Sequence, residues 1–284
     1  MSTTFTEPTP PWTSSSPQGT LTGYARVIGT LLLRDLAVLR KNWWFFLIRV
    51  IMQPLLLVFV FTYVFPKIGQ GIGGRGAGQV QFTSILVAGV VGISIIFQAI
   101  QAVALPLVQE FGYTKEIEDR ALAPMPIWGL AVEKILSGAI QAIFAGLVVF
   151  PTVLFIPATP VHLHINWLLL LTLIPLAAIV SGTLGLTIGT LVPPTQVALI
   201  FAIIVLPMTL LGAVYYPWTT LTPISWLKYG VLINPLVYIN EGLRAALTSN
   251  VSHMGLGWIY GVLVGFVLVF GWVSIRGLIR RVIG

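Results

Sequence analysis

Residues 82–108, FTSILVAGVVGISIIFQAIQAVALPLV, run for 27 positions without a charge. Residues 111–126, FGYTKEIEDRALAPMP, follow almost at once, with Lys115, Glu116, Glu118, Asp119 and Arg120 inside six positions. A helix needs about 20 apolar residues to cross the hydrocarbon of a bilayer, so the first stretch reads as a transmembrane span. The second is too charged to enter lipid and must face water. Such concentration is unusual in a chain of 284 residues with 15 basic and 8 acidic side chains.

The composition extends this reading to the whole chain. With 57% hydrophobic residues, 8% charged residues and a mean hydropathy of +0.96, there is too little polar surface for a soluble globule, in which about a quarter of residues are charged. The expected fold is therefore an all-α polytopic membrane protein. The absence of cysteine excludes a disulfide framework, a thiolate metal site and a cysteine nucleophile. A net charge of +7 fits basic loops kept on the cytoplasmic side of a membrane rather than a nucleic-acid surface.

Length and flanking charge mark six spans: Trp43 to Phe65, Phe82 to Val108, Leu130 to Ile156, Trp167 to Val192, Val197 to Val214 and Trp258 to Ile275. Pro193 and Pro194 make the fourth and fifth neighbours across a tight turn. Residues 1–20, rich in Pro, Ser and Thr, read as a disordered cytoplasmic tail without a signal-peptide core. Residues 21–42 space Tyr24, Val27, Ile28, Leu31 and Leu32 as one helix face, with Arg26, Arg34, Asp35, Arg40 and Lys41 between them. This pattern predicts an amphipathic interfacial helix. Residues 43–284 form the six-span domain.

Six spans place both termini on one side. With the termini cytoplasmic, the inner side holds Arg26, Arg34, Arg40, Lys41, Arg49, Lys115, Arg120, Lys134, Arg276, Arg280 and Arg281, and the outer side holds Lys67, Arg75, Lys228 and Arg244. The positive-inside rule selects that orientation. Arg49 lies near the inner end of the first span, where its stem can snorkel to the interface. The charged loop, residues 109–129, is then cytoplasmic, and Pro124 and Pro126 stop any helix in it before the chain re-enters the membrane. On the outer side, residues 212–250 are apolar but broken by Pro217, Pro223 and Pro235. Their Tyr215, Tyr216 and Trp218 are residue types of the membrane interface. Short re-entrant helices are expected there, closing the outer end of a path.

The sequence holds no GxxxxGK[ST] phosphate loop, and GIGGRGAG at 71–78 lacks its lysine and its strand-to-helix setting. His162 and His164 have no third ligand nearby, so no metal site is expected. No acidic residue stands near the middle of a span, against the needs of an ion-coupled transporter. A membrane-embedded lipid enzyme would require a convergent catalytic set, and the acids and bases here are scattered. Neutral polar residues remain: Gln98, Gln101 and Gln141, with Ser181, Thr183 and Thr187. Such groups more often join helices than line a route, and the glutamines, with Tyr215, Tyr216 and Trp218, form the candidate substrate path. The spacings Gly185 to Gly189 and Gly261 to Gly265 allow close helix contact.

Three segments in order, RDLAVLRKNWW followed by MQPLLLVFVFTYVF, EFGYTKEIEDRALAPMPIWGLAVEKIL, and YYPWTTLTPISWLKYGVLINPLVYINEGLRAAL, resemble the membrane permease subunit of a type-2 ABC exporter over residues 21–284. That resemblance implies that the loop after the second span carries a coupling helix docking on a separate ATP-binding cassette subunit. Lys115, Glu116, Glu118, Asp119 and Arg120 would be its docking residues, and Arg26, Arg34, Arg40 and Lys41 would lie on an entry helix that also meets the cassette. It implies a homodimer, membrane lipids as surroundings, and ATP and Mg on the partner chain with no cofactor on this one. It further implies export, of an amphiphilic drug, lipid or glycolipid, or alternatively of a lipid-linked polysaccharide. The lack of an intramembrane basic cluster to hold a pyrophosphate-linked sugar favours the amphiphile.

Overall fold

The structure is a computed structural model and describes residues 21–69, 77–114, 127–156, 163–193, 196, 199, 201–248 and 251–283. The expected tail, the docking residues 115–120 and His162 lie outside the described residues. Among the described residues every regular element is helical. In chain order these are α1 (Leu21–Lys41), α2 (Trp43–Lys67), α3 (Ala77–Gln109, with a π-turn Glu110–Thr114), α4 (Ile127–Phe155), α5 (Trp167–Leu191), α6 (Phe201–Leu210), α7 (Ser225–Gly230), α8 (Pro235–Leu247) and α9 (Leu256–Ile283).

Five of the six expected spans, α2, α3, α4, α5 and α9, are long and apolar enough to cross a membrane. The remaining one is described in part. Helix α6 opens on a π-turn, Phe201–Val205, and ends at Leu211, whose N–H donates to the Pro207 carbonyl. At 1.5 Å per residue it reaches about 15 Å, half the hydrocarbon thickness.

Burial follows from how apolar character is distributed around each helix. Helix α3 is hydrophobic on all sides and is buried along nearly its whole length between α4, α5, α8 and α2, as expected of a central helix. Helix α2 buries one stripe, Phe46, Val50, Pro54 and Val58, at four-residue spacing. Its other faces leave Trp44, Phe45, Ile48, Met52 and Leu56 exposed, which suits contact with lipid tails. Helix α9 is similarly open.

The α3–α5 crossing depends on missing side chains. A Cβ on Gly185 would stand 3.0 Å from Ile100 Cα and 3.1 Å from the Ala99 carbonyl, and one on Gly189 would stand 3.1 Å from Ala104 Cα. The expected close contact is therefore present for this pair. Gly261 and Gly265 meet nothing within 4 Å among the described residues, so their spacing serves no contact among these residues. Thr187 ties α5 to α9 by donating to the Phe270 carbonyl at 3.1 Å. Ser181 and Thr183, expected to join helices too, return their hydroxyls to Ala177 and Val180 of their own helix.

Helix ends follow local chemistry. Asn166 caps α5 by accepting from Leu169 N–H, and Asn234 caps α8, accepting from Leu236 N–H with Pro235 at the first helical position.

Candidate functional site

The charged loop leaves α3 and returns into α4, and a buried ion pair clamps its two roots. Lys134 Nζ lies 2.7 Å from Glu110 Oε1, with 7% and 12% of their side chains exposed. Helix α1 packs against α4 beside this pair. Its Arg26, Arg34, Arg40 and Lys41 are exposed, Arg34 at the rim of a cavity where it pairs with Asp35, and Asp35 accepts from Ser137 Oγ at 2.9 Å. Burial alone raises the Asp35 carboxyl pKa. Its hydrogen bonds from Ser137 and Arg34, and the nearby charge of Lys134, outweigh this and hold it below the usual carboxylate range. Tyr24 and Trp128 meet edge to face at 6.0 Å. From the third side, the Arg281 guanidinium of α9 stands 4.9 Å over the Phe111 ring and donates to the Val192 carbonyl at 2.6 Å. Three helices thus hold the base of the loop.

Of the glutamines, Gln98 is buried and its Nε2 donates to Gln141 Oε1 across the α3–α4 interface at 3.4 Å. Gln101 lines a small cleft with Gln98, Gln53 and Arg49. A larger cavity of about 760 Å³ opens between α1, α2, α3 and α4 and includes Gln141, Lys134 and Arg49 in its wall.

Tyr215, Tyr216 and Trp218 lie at the other end of the bundle. The Tyr215 ring packs 5.4 Å from Phe61 of α2. Trp218 donates its indole N–H to the Lys228 carbonyl at 2.8 Å, beneath the Lys228 ammonium at 4.7 Å. Its backbone N–H donates to Glu241 Oε1 at 2.8 Å. Glu241 is the hub of this region. It also pairs with Arg244 one turn along α8, and its Oε2 accepts from Met254 N–H at 3.0 Å. Arg244 donates onward to the Ala213 carbonyl, and Ala213 adopts the left-handed φ of 53°. Asn240 donates to the Gly212 carbonyl at 2.7 Å. Residues 212–217 form no regular element, and side chains of α8 hold the backbone of this segment. The sequence assigns Arg244 to the outer side without showing its burial, and both it and Glu241 have no exposed side-chain surface.

The model of the family described as "ABC-2 type transporter" matches residues 26–248, from within α1 to the end of α8. The chain belongs to the ABC-2 type transporter family. It is a permease subunit of that type, embedded in a membrane. The inner membrane transport permease YadH of Escherichia coli (strain K12) is 27% identical over 228 residues, covering 78% of this chain and 84% of that protein. The protein of the same name from Shigella flexneri matches to the same extent.

Within this ABC-2 permease, local pattern points to the exposed arginines of α1 and to the glutamines. It misses Asp35, Ser137, Glu110, Lys134 and the Glu241–Arg244 pair as structural partners. Only the last carried a local signal, an acid and a base three residues apart on one helix.

Proposed function

We propose that this permease moves an amphiphilic lipid, glycolipid or drug-like molecule out of the cytoplasm, driven by ATP hydrolysis on a separate cassette subunit. Two copies of the chain assemble around the substrate path in the cell membrane. Each has six spans, with α6 as the described part of the fifth, and both termini are cytoplasmic. Helix α1 lies along the inner surface, residues 109–129 form the coupling loop with Lys115 to Arg120 as its grip, and the short helices of 212–250 close the outer end.

The observation that carries this reading is the clamp at the loop's roots. A loop that served only to fix topology would not require its two ends to be locked by a buried ion pair and braced by α1 and α9. A rigid base is what lets a push on the loop reach α3 and α4 together. Force entering there meets the Gln98–Gln141 contact further along the same two helices. Family membership supplies the need for an ATP-binding partner, because members of this type are permeases that work beside a cassette chain.

Purification of the tagged chain from its native membrane tests the proposal. An ATP-binding cassette protein is expected to come with it, at one copy per permease. Recovery of the permease alone, still able to move substrate, would overturn the proposal.

A further inference from the structure

We infer that the cavity between α1, α2, α3 and α4 binds an anionic phospholipid, with the lipid phosphate on Arg49. Five charged side chains stand in its wall, and four of them are already spoken for. Lys134 pairs with Glu110 at 2.7 Å, and Arg34 pairs with Asp35 at 3.1 Å. Arg49 has no hydrogen bond or ion pair among the described residues, so the wall carries one excess positive charge.

Depth makes that charge informative. Arg49 is six residues past Trp43, the first residue of α2, which places it about 9 Å along the helix axis. The Trp43–Trp44 pair at the helix start is of the type that sits at headgroup level, so Arg49 lies near the boundary of headgroups and acyl chains. A cation at that depth must be paired or face a wet cavity. Snorkelling along a lipid-facing surface would satisfy it without a ligand. The side chain is exposed and also borders a cavity shared with Asn42 and Gln141 and, on its other side, the cleft leading to Gln98 and Gln101, so a ligand seated there reaches the guanidinium.

The rest of the lining selects the ligand. Val38, Leu39, Phe45 and Phe46 give the cavity an apolar flank continuous with the lipid-facing side of α2. A free phosphate would leave that flank wet, whereas a phospholipid covers it with glycerol and acyl carbons and brings its phosphate to the guanidinium, which suits bidentate phosphate contact. The volume of about 760 Å³ lies in the ordinary range for small-ligand sites. This inference needs α2 to span a membrane, but does not depend on the transported substrate, its direction or the cassette partner.

The test is native mass spectrometry of the full-length permease in a neutral detergent, titrated with phosphatidylglycerol or phosphatidylcholine of identical acyl chains. Wild type is expected to prefer phosphatidylglycerol by about fivefold or more, the contribution of one cation near a membrane surface. Arg49→Gln should abolish the preference, and Arg49→Lys, which keeps the charge and loses the fork, should retain part of it. Equal affinity of wild type for the two lipids overturns the inference, as does an unchanged preference in Arg49→Gln. Displacement of the lipid by inorganic phosphate would mark a small-anion site and overturn the lipid assignment. Should Arg49→Gln fail to fold, the wild-type contrast and Arg49→Lys still decide.

Discussion

Lys134 and Glu110 are 24 positions apart in sequence, yet the ammonium and carboxylate meet at 2.7 Å at the mouth of the charged loop. Both side chains are largely removed from solvent. Breaking one side of a buried pair strands the other charge and costs about 3–5 kcal/mol, whereas replacing both by apolar groups is often neutral. Lys134→Met alone is therefore expected to lower the melting temperature of the purified permease clearly, and Lys134→Met with Glu110→Met to recover most of the loss. A double variant that melts as low as the sum of the two singles would show that the pair has no coupling.

The Glu241–Arg244 pair holds residues 212–218 rather than a loop root. Glu241→Ala removes the acceptor for the backbone N–H groups of Trp218 and Met254 and leaves the Arg244 guanidinium buried without its counter-charge. The expected loss is about 3–5 kcal/mol, with faster hydrogen exchange across 212–218 than elsewhere. Ala213→Gly should act oppositely, because glycine adopts the left-handed φ of 53° without a Cβ penalty. A gain of about 0.5–1 kcal/mol is expected, read from thermal unfolding.

The α3–α5 crossing makes a steric prediction. Gly185→Val places a branched Cβ against the backbone of Ile100 and Ala99, and overpacking of this kind costs about 1–3 kcal/mol. Gly261→Val, where nothing stands within 4 Å, should leave the melting temperature of the isolated chain unchanged. Equal effects of the two substitutions would contradict the packing described here.

Asp35 gives a pH dependence whose sign is fixed by its lowered pKa. A carboxyl depressed in the folded state contributes stability that is full above its unfolded pKa of about 3.9 and is lost as pH falls through the folded value. The hold of α1 on α4 should thus be constant from neutral pH down to about 4 and weaken below it. The distance between spin labels at positions 32 and 140, residues that line one small cleft with Asp35, reports this contact without a pH-dependent reaction. In Asp35→Asn the distance distribution should be broader at neutral pH and flat in acid.

These residues also show where sequence reading stops. Spans α2, α3, α4, α5 and α9 were legible because each contains a long, predominantly apolar run with any charges near its ends, and lipid leaves helix as the one open structure that satisfies its own backbone. Their ends were less so. Helix α9 continues to Ile283, through Arg280 and Arg281, beyond the expected end at Ile275, because leaving the membrane changes the preferred side chains without breaking the helix. Asp35 was counted among surface charges, since nothing local reveals that it faces Ser137, 102 positions away. The close approach at Gly185 and Gly189 was readable from spacing, and the identical spacing at Gly261 and Gly265 was not distinguishable from it.

Reversal of the loop charges, Glu116→Lys with Glu118→Lys and Asp119→Lys, tests the docking role most directly. Measured in the assembled transporter reconstituted with its cassette partner, the triple variant should insert and fold as wild type while substrate no longer stimulates ATP hydrolysis and transport falls to background. Transport and substrate-stimulated turnover at wild-type rates in that variant would contradict the proposal that this loop is where the motor grips the permease.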